Sequence, residues 1–357
     1  MIATPTPDTK KPDTSLNPSR IMQIGMGFWP AKVLLTAVRT GLFTLLGGNP
    51  LSGKEIKEKL GFGTTDRHVF DWLDTLVSLG FLQRMGLLDD AVYSNADESS
   101  LFLDKKSPQY VGGMLEMADD RLYTHWSHLE EGLRTGRQQN EGRGKPSGNM
   151  EFFSELYKDP YKLAGFIDAM RGIQTGNFIA LAEKFDFSQY AHFLDIGGAD
   201  GWLSIQICLR HPAIHCSTFD LPPVLPLAQE RIAQFQLSDR IQALPGDFIK
   251  DEFPQAQVIA MGNILHGTNE ATKLQLLRKV YEALPAGGVC IAIENIIDDD
   301  RRQNTFGLLM SLNMLIENGE AFDYTMTDFS KWAKEVGFAR VESIPLAGPA
   351  SAAVAYK

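Results

Sequence analysis

The chain has 357 residues, enough for two or three domains, and 44% of them are hydrophobic, which suits a globular protein with a large core. A formal net charge of −10 and a pI near 5.2 argue against nucleic acid and anionic membranes as partners. All three cysteines lie in apolar runs, so we expect buried thiols in a reducing, cytoplasmic compartment: Cys208, Cys216 and Cys290.

The N-terminal region changes character near residue 19. Residues 1–18 are polar and proline-spotted, without the apolar core of a signal peptide, and predict a disordered tail. From about Ser19 to Gly47, apolar residues recur at helical spacing on several sides of the helix, so we expect these helices to form a homodimer interface. No stretch of the chain is expected to be long and apolar enough to span a membrane.

Residues 51–95 predict two helices followed by a β-ribbon. Ser52 with Glu55 makes a capping box before a helix that runs to Leu60, and Thr65 begins a second helix. This order indicates a winged helix, so we assign 19–105 to a winged-helix-like dimerisation domain. Acidic residues outnumber basic ones here, which is the wrong sign for phosphate contacts, so we do not expect DNA binding.

Helices dominate 106–185, which we interpret as a linker that contributes to a substrate pocket. Strands and helices then alternate over 186–357, and this pattern predicts an α/β domain with a Rossmann-like, doubly wound, mostly parallel sheet. The expected strands lie near 193–196, 215–219, 241–244, 257–262, 289–295, 340–345 and 352–356.

The most informative stretch is the glycine-rich run from Asp195 to Gly201, between a predicted strand and a predicted helix. Gly197, Gly198 and Gly201 would let the backbone pass close to a ligand at the start of the helix. The next strand ends in Asp220, an acid placed to accept hydrogen bonds from ribose hydroxyls. The three features together predict a nucleoside-type cofactor.

Two later strand ends add to this constellation. Gly246, Asp247 and Phe248 follow the third strand, where an aromatic ring and a carboxylate suit an adenine. The fourth strand ends at His266, a candidate general base because reactive groups gather at the carboxyl ends of parallel strands. Glu294 and Asp323 could orient it, and Glu294 is the stronger candidate because a carboxylate in so apolar a strand needs a polar partner.

These landmarks together resemble the S-adenosylmethionine-dependent O-methyltransferases of the caffeate and hydroxyindole type, in particular their bacterial natural-product members. The resemblance runs from about residue 19 to the C-terminus and rests on LDIGGADG (194–201), FDLP (219–222), GDF (246–248), GNILH (262–266), LPAGG (284–288) and LLMSLNML (308–315).

The resemblance implies a class I methyltransferase fold and a role for each motif. S-adenosylmethionine would be the cofactor and S-adenosylhomocysteine its product, with no metal. His266 would take the proton of the acceptor, supported by Glu294 and Asp323. The expected cofactor-binding residues are Asp195, Gly197, Gly198, Gly201, Asp220, Leu221, Gly246, Asp247, Phe248 and Asn263.

One departure from the family pattern concerns the residue after the histidine. The family usually continues with Asp and Trp, whereas this chain has Gly267 and Thr268. Methyl transfer to a phenolic hydroxyl of a small aromatic or natural-product acceptor is the first expectation. Methylation of an activated carbon, with a metal at His266, and a cofactor-binding protein that transfers no methyl group both stay open.

The acceptor pocket is expected to be apolar and aromatic, with Phe28 or Trp29 reaching across the dimer. The expected substrate-binding residues are Trp126, Phe166, Met170, Phe306, Met310 and Asn313.

Overall fold

A computed structural model describes residues 16–144 and 156–357 of the chain. Most of the predicted disordered tail therefore lies outside the described residues. The chain divides into two compact units, one ending at Tyr110 and the other beginning at Val111. The boundaries that we assigned from the sequence at residues 105 and 185 stay predictions.

The first unit is mainly helical. Its helices are α1 (Ser19–Gly25), α2 (Phe28–Arg39), α3 (Leu42–Leu45), α4 (Gly53–Leu60), α5 (Asp66–Ser78) and α6 (Asp97–Phe102). Three short antiparallel strands form a sheet in the order β1-β3-β2: β1 (Leu51–Ser52), β2 (Leu82–Met85) and β3 (Val92–Asn95). The predicted capping box at Ser52 and the cap at Thr65 are both confirmed. The name winged helix stays an interpretation of this element order.

The apolar N-terminal helices expose much of their surface. The helical stretch predicted from Ser19 is interrupted at Met26 and Gly27, between α1 and α2. Ile21 and Ile24 are 74% and 76% exposed. By length and composition alone, the described stretch Ser19–Arg39 could cross a membrane, so the expectation that no such stretch exists is wrong by that criterion. Polar residues are sparse across the break between α1 and α2, so the two helices together make one apolar stretch.

The second unit combines helices with a seven-stranded sheet. Its helices are α7 (Gly112–Met117), α8 (Tyr123–His125), α9 (Leu129–Thr135), α10 (Pro160–Lys184), α11 (Trp202–Arg210), α12 (Leu225–Gln234), α13 (Glu270–Ala283), α14 (Thr305–Asn318) and α15 (Met326–Val336). Its strands are β4 (His192–Ile196), β5 (His215–Asp220), β6 (Ile241–Pro245), β7 (Val258–Gly262), β8 (Val289–Glu294), β9 (Arg340–Pro345) and β10 (Ser351–Tyr356). A π-helical turn, Ala118–Leu122, joins α7 to α8.

The sheet has the order β6-β5-β4-β7-β8-β10-β9, and only β10 runs antiparallel to its neighbours. Each of the seven strands predicted from the sequence is present within two residues of its expected bounds. Because β4 to β8 are parallel, their carboxyl ends meet at one edge, which brings the glycine turn, Asp220, the GDF motif, His266 and Glu294 to the same side of the sheet.

Apolar side chains cover both faces of this sheet. One face packs against α10 and α11 through residues such as Leu181, Phe193 and Ile205. The other packs against α13 and α15 through residues such as Leu277 and Trp332. Strands buried on both faces read as continuous apolar runs, which explains why β7 and β8 could be recognised from the sequence.

Candidate active site

The glycine turn between β4 and α11 requires glycine for steric reasons. Gly197 and Gly201 have φ angles of 66° and 74°, in the left-handed region that favours glycine. A Cβ atom at Gly198 would lie 2.1 Å from the hydroxyl of Thr218 and 2.7 Å from a carboxylate oxygen of Asp195. The backbone of the turn therefore packs directly on β4 and β5.

Asp220 lies at the end of β5 and braces this turn. One carboxylate oxygen accepts the N–H of Ala199 at 2.9 Å, and the other accepts the N–H of Leu221 at 2.7 Å. Each oxygen keeps a lone pair for a further donor, as ribose recognition needs. Burial raises the pKa of Asp220 to about 6, although the two N–H donors oppose the shift.

Asp195 supports the turn from beneath. It is 3% exposed, and burial, with the negative charges of Asp220 and Asp200, raises its pKa well above the ordinary value. A neutral carboxyl group in this position can pack under Gly198 without the cost of a buried charge. We therefore propose that Asp195 supports the cofactor site from below.

The GDF motif follows β6. A Cβ at Gly246 would overlap the ring of Phe219, so the backbone packs closely against that ring. The side chain of Asp247 accepts the N–H of Ile249 and contacts the Lys250 ammonium at 2.8 Å. Burial raises the pKa of Asp247, but these two contacts outweigh it, so its pKa lies below the ordinary value. The half-buried Phe248 packs on the apolar core.

An arginine pair holds the turn from the other side, and the sequence analysis missed it. Asp200, 3% exposed, contacts Arg171 of α10 at 2.6 Å and Arg231 of α12 at 3.3 Å. Because Asp200 directly precedes Gly201, these two ion pairs fix the end of the glycine turn against both helices.

Tyr157 is a second residue that was missed. It packs beside Phe166 and Ala199 on a small apolar cluster. Burial and the nearby carboxylates of Asp220 and Asp247 raise the pKa of its hydroxyl. Its position near both acids makes it a candidate for the cofactor pocket that spacing along the sequence could not reveal.

His266, Glu294 and Asp323 come together at the end of β7. The Nδ1 atom of His266 lies 3.4 Å from Oδ1 of Asp323 and 3.7 Å from Oε2 of Glu294. The other Glu294 oxygen accepts the N–H of Leu265 at 3.0 Å and that of His266 at 3.3 Å. Glu294 therefore holds the backbone at the histidine through hydrogen bonds, while its second oxygen faces the ring and Asp323 lies nearer to Nδ1.

The three groups are buried and their charges are coupled. Burial lowers the pKa of His266, but Glu294 and Asp323 outweigh it and raise the value to about 9. Burial raises the pKa of Glu294 to about 7 against the effect of the imidazolium. With both carboxylates on the Nδ1 side, Nε2 is the nitrogen left for an acceptor.

Donor atoms of these three residues lie within 4.8 Å of one another, a separation that a metal ion could also bridge. Two positive charges already stand beside the two carboxylates, on His266 and on the fully buried Lys273. The charges of the two carboxylates are therefore largely compensated within the protein.

The loop on either side of His266 is held by hydrogen bonds to its backbone carbonyl groups. The amide of Asn318 donates to the carbonyl of Gly267 at 2.9 Å, and the hydroxyl of Thr268 donates to the carbonyl of Leu265. A Cβ at Gly267 would meet only ordinary contacts at 3.5 Å. Asn263 has a φ of 54°, a conformation that asparagine tolerates better than most residues.

The predicted acceptor residues fall into separate groups. Trp126 donates its indole N–H to Asn313 at 2.9 Å, so the structure brings these two together. Phe306 and Met310 precede Asn313 at helical spacing on α14, and Phe306 is 50% exposed. Phe166 and Met170 lie one turn apart on α10, where Phe166 packs toward Val224. In the first unit, Phe28 and Trp29 are 51% and 60% exposed.

Comparisons with known proteins agree with this arrangement. A family model described as an O-methyltransferase domain matches residues 126–339, and one described as an O-methyltransferase dimerisation domain matches 22–105. The tetracenomycin polyketide synthesis 8-O-methyl transferase TcmO of Streptomyces glaucescens is 36% identical over 95% of this chain and 97% of its own.

Two further proteins resemble the chain over most of its length. The N,N-dimethyltransferase OxyT of Streptomyces rimosus is 30% identical over 89% of this chain and 90% of its own. The crystal structure of human N-acetylserotonin methyltransferase in complex with S-adenosylmethionine superposes with a TM-score of 0.86 at 27% identity, covering 97% of this chain and 99% of the human one.

Proposed function

Because this chain belongs to the O-methyltransferase family and is an S-adenosylmethionine-dependent enzyme, we propose that it methylates a phenolic hydroxyl of a polycyclic aromatic natural product, with His266 as general base. The observation that carries the proposal is the contact of His266 with two buried carboxylates at the carboxyl edge of the sheet. The 8-O-methyl transferase of tetracenomycin synthesis supports the choice of a polycyclic phenol.

The residues at this edge fit the donor. Asp220 would accept the ribose hydroxyls, Gly197, Gly198 and Gly201 would admit the methionine part, and Asp247 with Phe248 would receive the adenine. When bound, S-adenosylmethionine supplies an electrophilic methyl group and a positive sulfonium charge, which favours loss of a proton from His266. Tyr157 would close this pocket beside Asp220.

His266 would remove the acceptor proton through Nε2. Glu294 and Asp323 stabilise the resulting imidazolium through Nδ1, so the proton stays on the ring while the methyl group is transferred. Holding the hydroxyl and the methyl group in line would supply much of the rate, since such positioning is worth roughly 7–11 kcal/mol.

Trp126, Phe166, Met170, Phe306, Met310 and Asn313 would form the apolar acceptor pocket. The half-exposed Phe306 supports a pocket completed by another surface, for which Phe28 or Trp29 of a partner copy is our proposal. A homodimer through α1 and α2 follows from the match to the dimerisation domain and from the exposed apolar residues of these helices.

The test is a panel of polycyclic phenols incubated with the enzyme and S-adenosylmethionine, followed by mass spectrometry for S-adenosylhomocysteine and the methylated product. His266→Gln should bind the donor as wild type does but lose about 10²–10⁴ in turnover. His192→Gln, an exposed histidine on β4, is the matched control and should behave as wild type. Turnover that persists in His266→Gln removes the base from the proposal.

The similarity to an N,N-dimethyltransferase favours one second candidate, an amine acceptor. NMR of the product separates O-, N- and C-methylation by the carbon shift of the new methyl group. A rate that falls with chelator and returns with added metal would instead support a metal at the histidine cluster.

A further inference from the structure

Lys273 occupies a position that is unfavourable for a lysine. It is fully buried and lies in the first turn of α13, after the Asn269 cap. Burial of an ammonium group carries a large desolvation cost, and the N-terminus of a helix repels a positive charge. An apolar residue would suit this position better, so the partners of Lys273 must compensate for both effects.

The ammonium group contacts the residues on both sides of Asp323. It donates to the carbonyl of Thr268 and lies 3.8 Å from the ring centroid of Phe322. The rings of Tyr324 and Trp332 have centroids 6.0 Å away. Cation–π contacts of this kind strengthen when they are desolvated. The carbonyl and the rings therefore hold the ammonium group beside the segment that carries Asp323.

The environment of Lys273 contains both acidic and basic groups. Four ionisable groups interact electrostatically with Lys273: His266 after β7, Glu294 of β8, Asp323 before α15, and Glu270 of α13. Glu270 also accepts the indole N–H of Trp332 at 2.8 Å. Burial lowers the pKa of Lys273 to about 8, while the three carboxylates oppose the shift.

Two neighbouring groups in this region stay neutral near pH 7. Burial raises the pKa of the Tyr324 hydroxyl well above its ordinary value and that of the Cys290 thiol to about 12. The charges near the imidazole are therefore those of the carboxylates Glu294 and Asp323, which His266 and Lys273 balance.

We propose that Lys273 is a positioning residue for proton transfer by His266: its ammonium group, held by the carbonyl of Thr268 and the ring of Phe322, favours release of the proton from the imidazole. The inference rests on the proposed role of His266 as base. Removing a positive charge makes every deprotonation in the cluster harder, so the apparent pKa of the imidazole should rise.

The test compares Lys273→Met with Lys273→Arg, because a guanidinium stays charged throughout the titration. The imidazole signals of ¹³C-histidine-labelled enzyme are followed by NMR from pH 6 to 11, with His266 assigned through His266→Gln. We expect the His266 midpoint to be about one unit higher in the Met variant than in the Arg variant. Equal midpoints in two folded variants overturn the proposal.

Lys357→Met is the control for loss of packing. Lys357 also lies over an aromatic ring, 4.3 Å from the centroid of Tyr281, and donates to two carbonyl groups at the opposite end of α13. This variant should lose stability without moving the His266 midpoint. If Lys273→Arg does not fold, wild type replaces it, and Lys273→Met should have the higher His266 midpoint; equal midpoints again overturn the proposal.

The NMR measurement needs no acceptor. Retained turnover in His266→Gln would refute the base, whereas equal midpoints would refute the role of Lys273. The two failures are therefore distinguishable.

Discussion

Cofactor affinity should depend on pH through Asp220. Its carboxylate accepts two backbone N–H groups, yet burial still raises its pKa to about 6. Both oxygens of ionised Asp220 can accept hydrogen bonds from the ribose hydroxyls, whereas protonation occupies one of them. Cofactor binding should therefore favour the ionised form of Asp220. Protons taken up by the free enzyme below pH 6 must then be released when the cofactor binds.

The magnitude follows from linkage. If the bound complex requires ionised Asp220, affinity falls by a factor of one plus the ratio of protonated to ionised enzyme. With a pKa of about 6, that factor is about 1.1 at pH 7 and about 11 at pH 5. Asp247, whose pKa is lowered, stays ionised across this window. The α-carboxylate and α-amino group of the cofactor change little in charge between these two values.

Isothermal titration calorimetry with S-adenosylhomocysteine at pH 5, 6 and 7 measures this dependence. Asp220→Asn should bind weakly at every pH and lose the slope, whereas the exposed Asp239→Asn should keep the wild-type profile. A wild-type affinity that is flat from pH 5 to 7, in protein that stays folded, refutes the reasoning about Asp220.

Three further outcomes are expected. Light scattering should give about twice 39.6 kDa for wild type and a smaller mass for Ile24→Asp, while Met85→Asp, an equally exposed apolar residue of the same unit, should keep the wild-type mass. Arg171→Leu should weaken cofactor binding about tenfold, the loss of one charge-assisted hydrogen bond, and Arg210→Leu at the surface should not. Turnover should rise with pH through neutrality, because His266 has its pKa raised to about 9 and acts as a base only after losing that proton; a rate that falls from pH 6 to 8 in folded enzyme contradicts this assignment.

The centre of the large sheet could be predicted because its strands are buried on both faces. β8 has six buried residues in succession and reads as an uninterrupted apolar run, broken only by the acid at its end. That single exception pointed to Glu294 as a partner of His266. The glycine turn was equally visible, since only glycine permits the conformation and close packing found at Gly197 and Gly198.

Other parts of the site depend on contacts that no local pattern records. A lysine in the first turn of a helix ordinarily faces solvent, so the burial of Lys273 follows only from the aromatic rings of Phe322 and Trp332. Arg171 and Asp200 are 29 residues apart in sequence, and they meet because α10 packs on α11. Periodicity also gave no reason to break the N-terminal helix at Gly27.

The antiparallel strand β10 has a consequence for synthesis of the chain. Ser351 pairs with Glu294, so the strand that carries this carboxylate gains its second neighbour only after roughly 57 more residues are made. At about 5–20 residues per second, the ribosome needs some seconds for this step. During that time β8 presents an unpaired apolar edge, at which a nascent chain is exposed to aggregation.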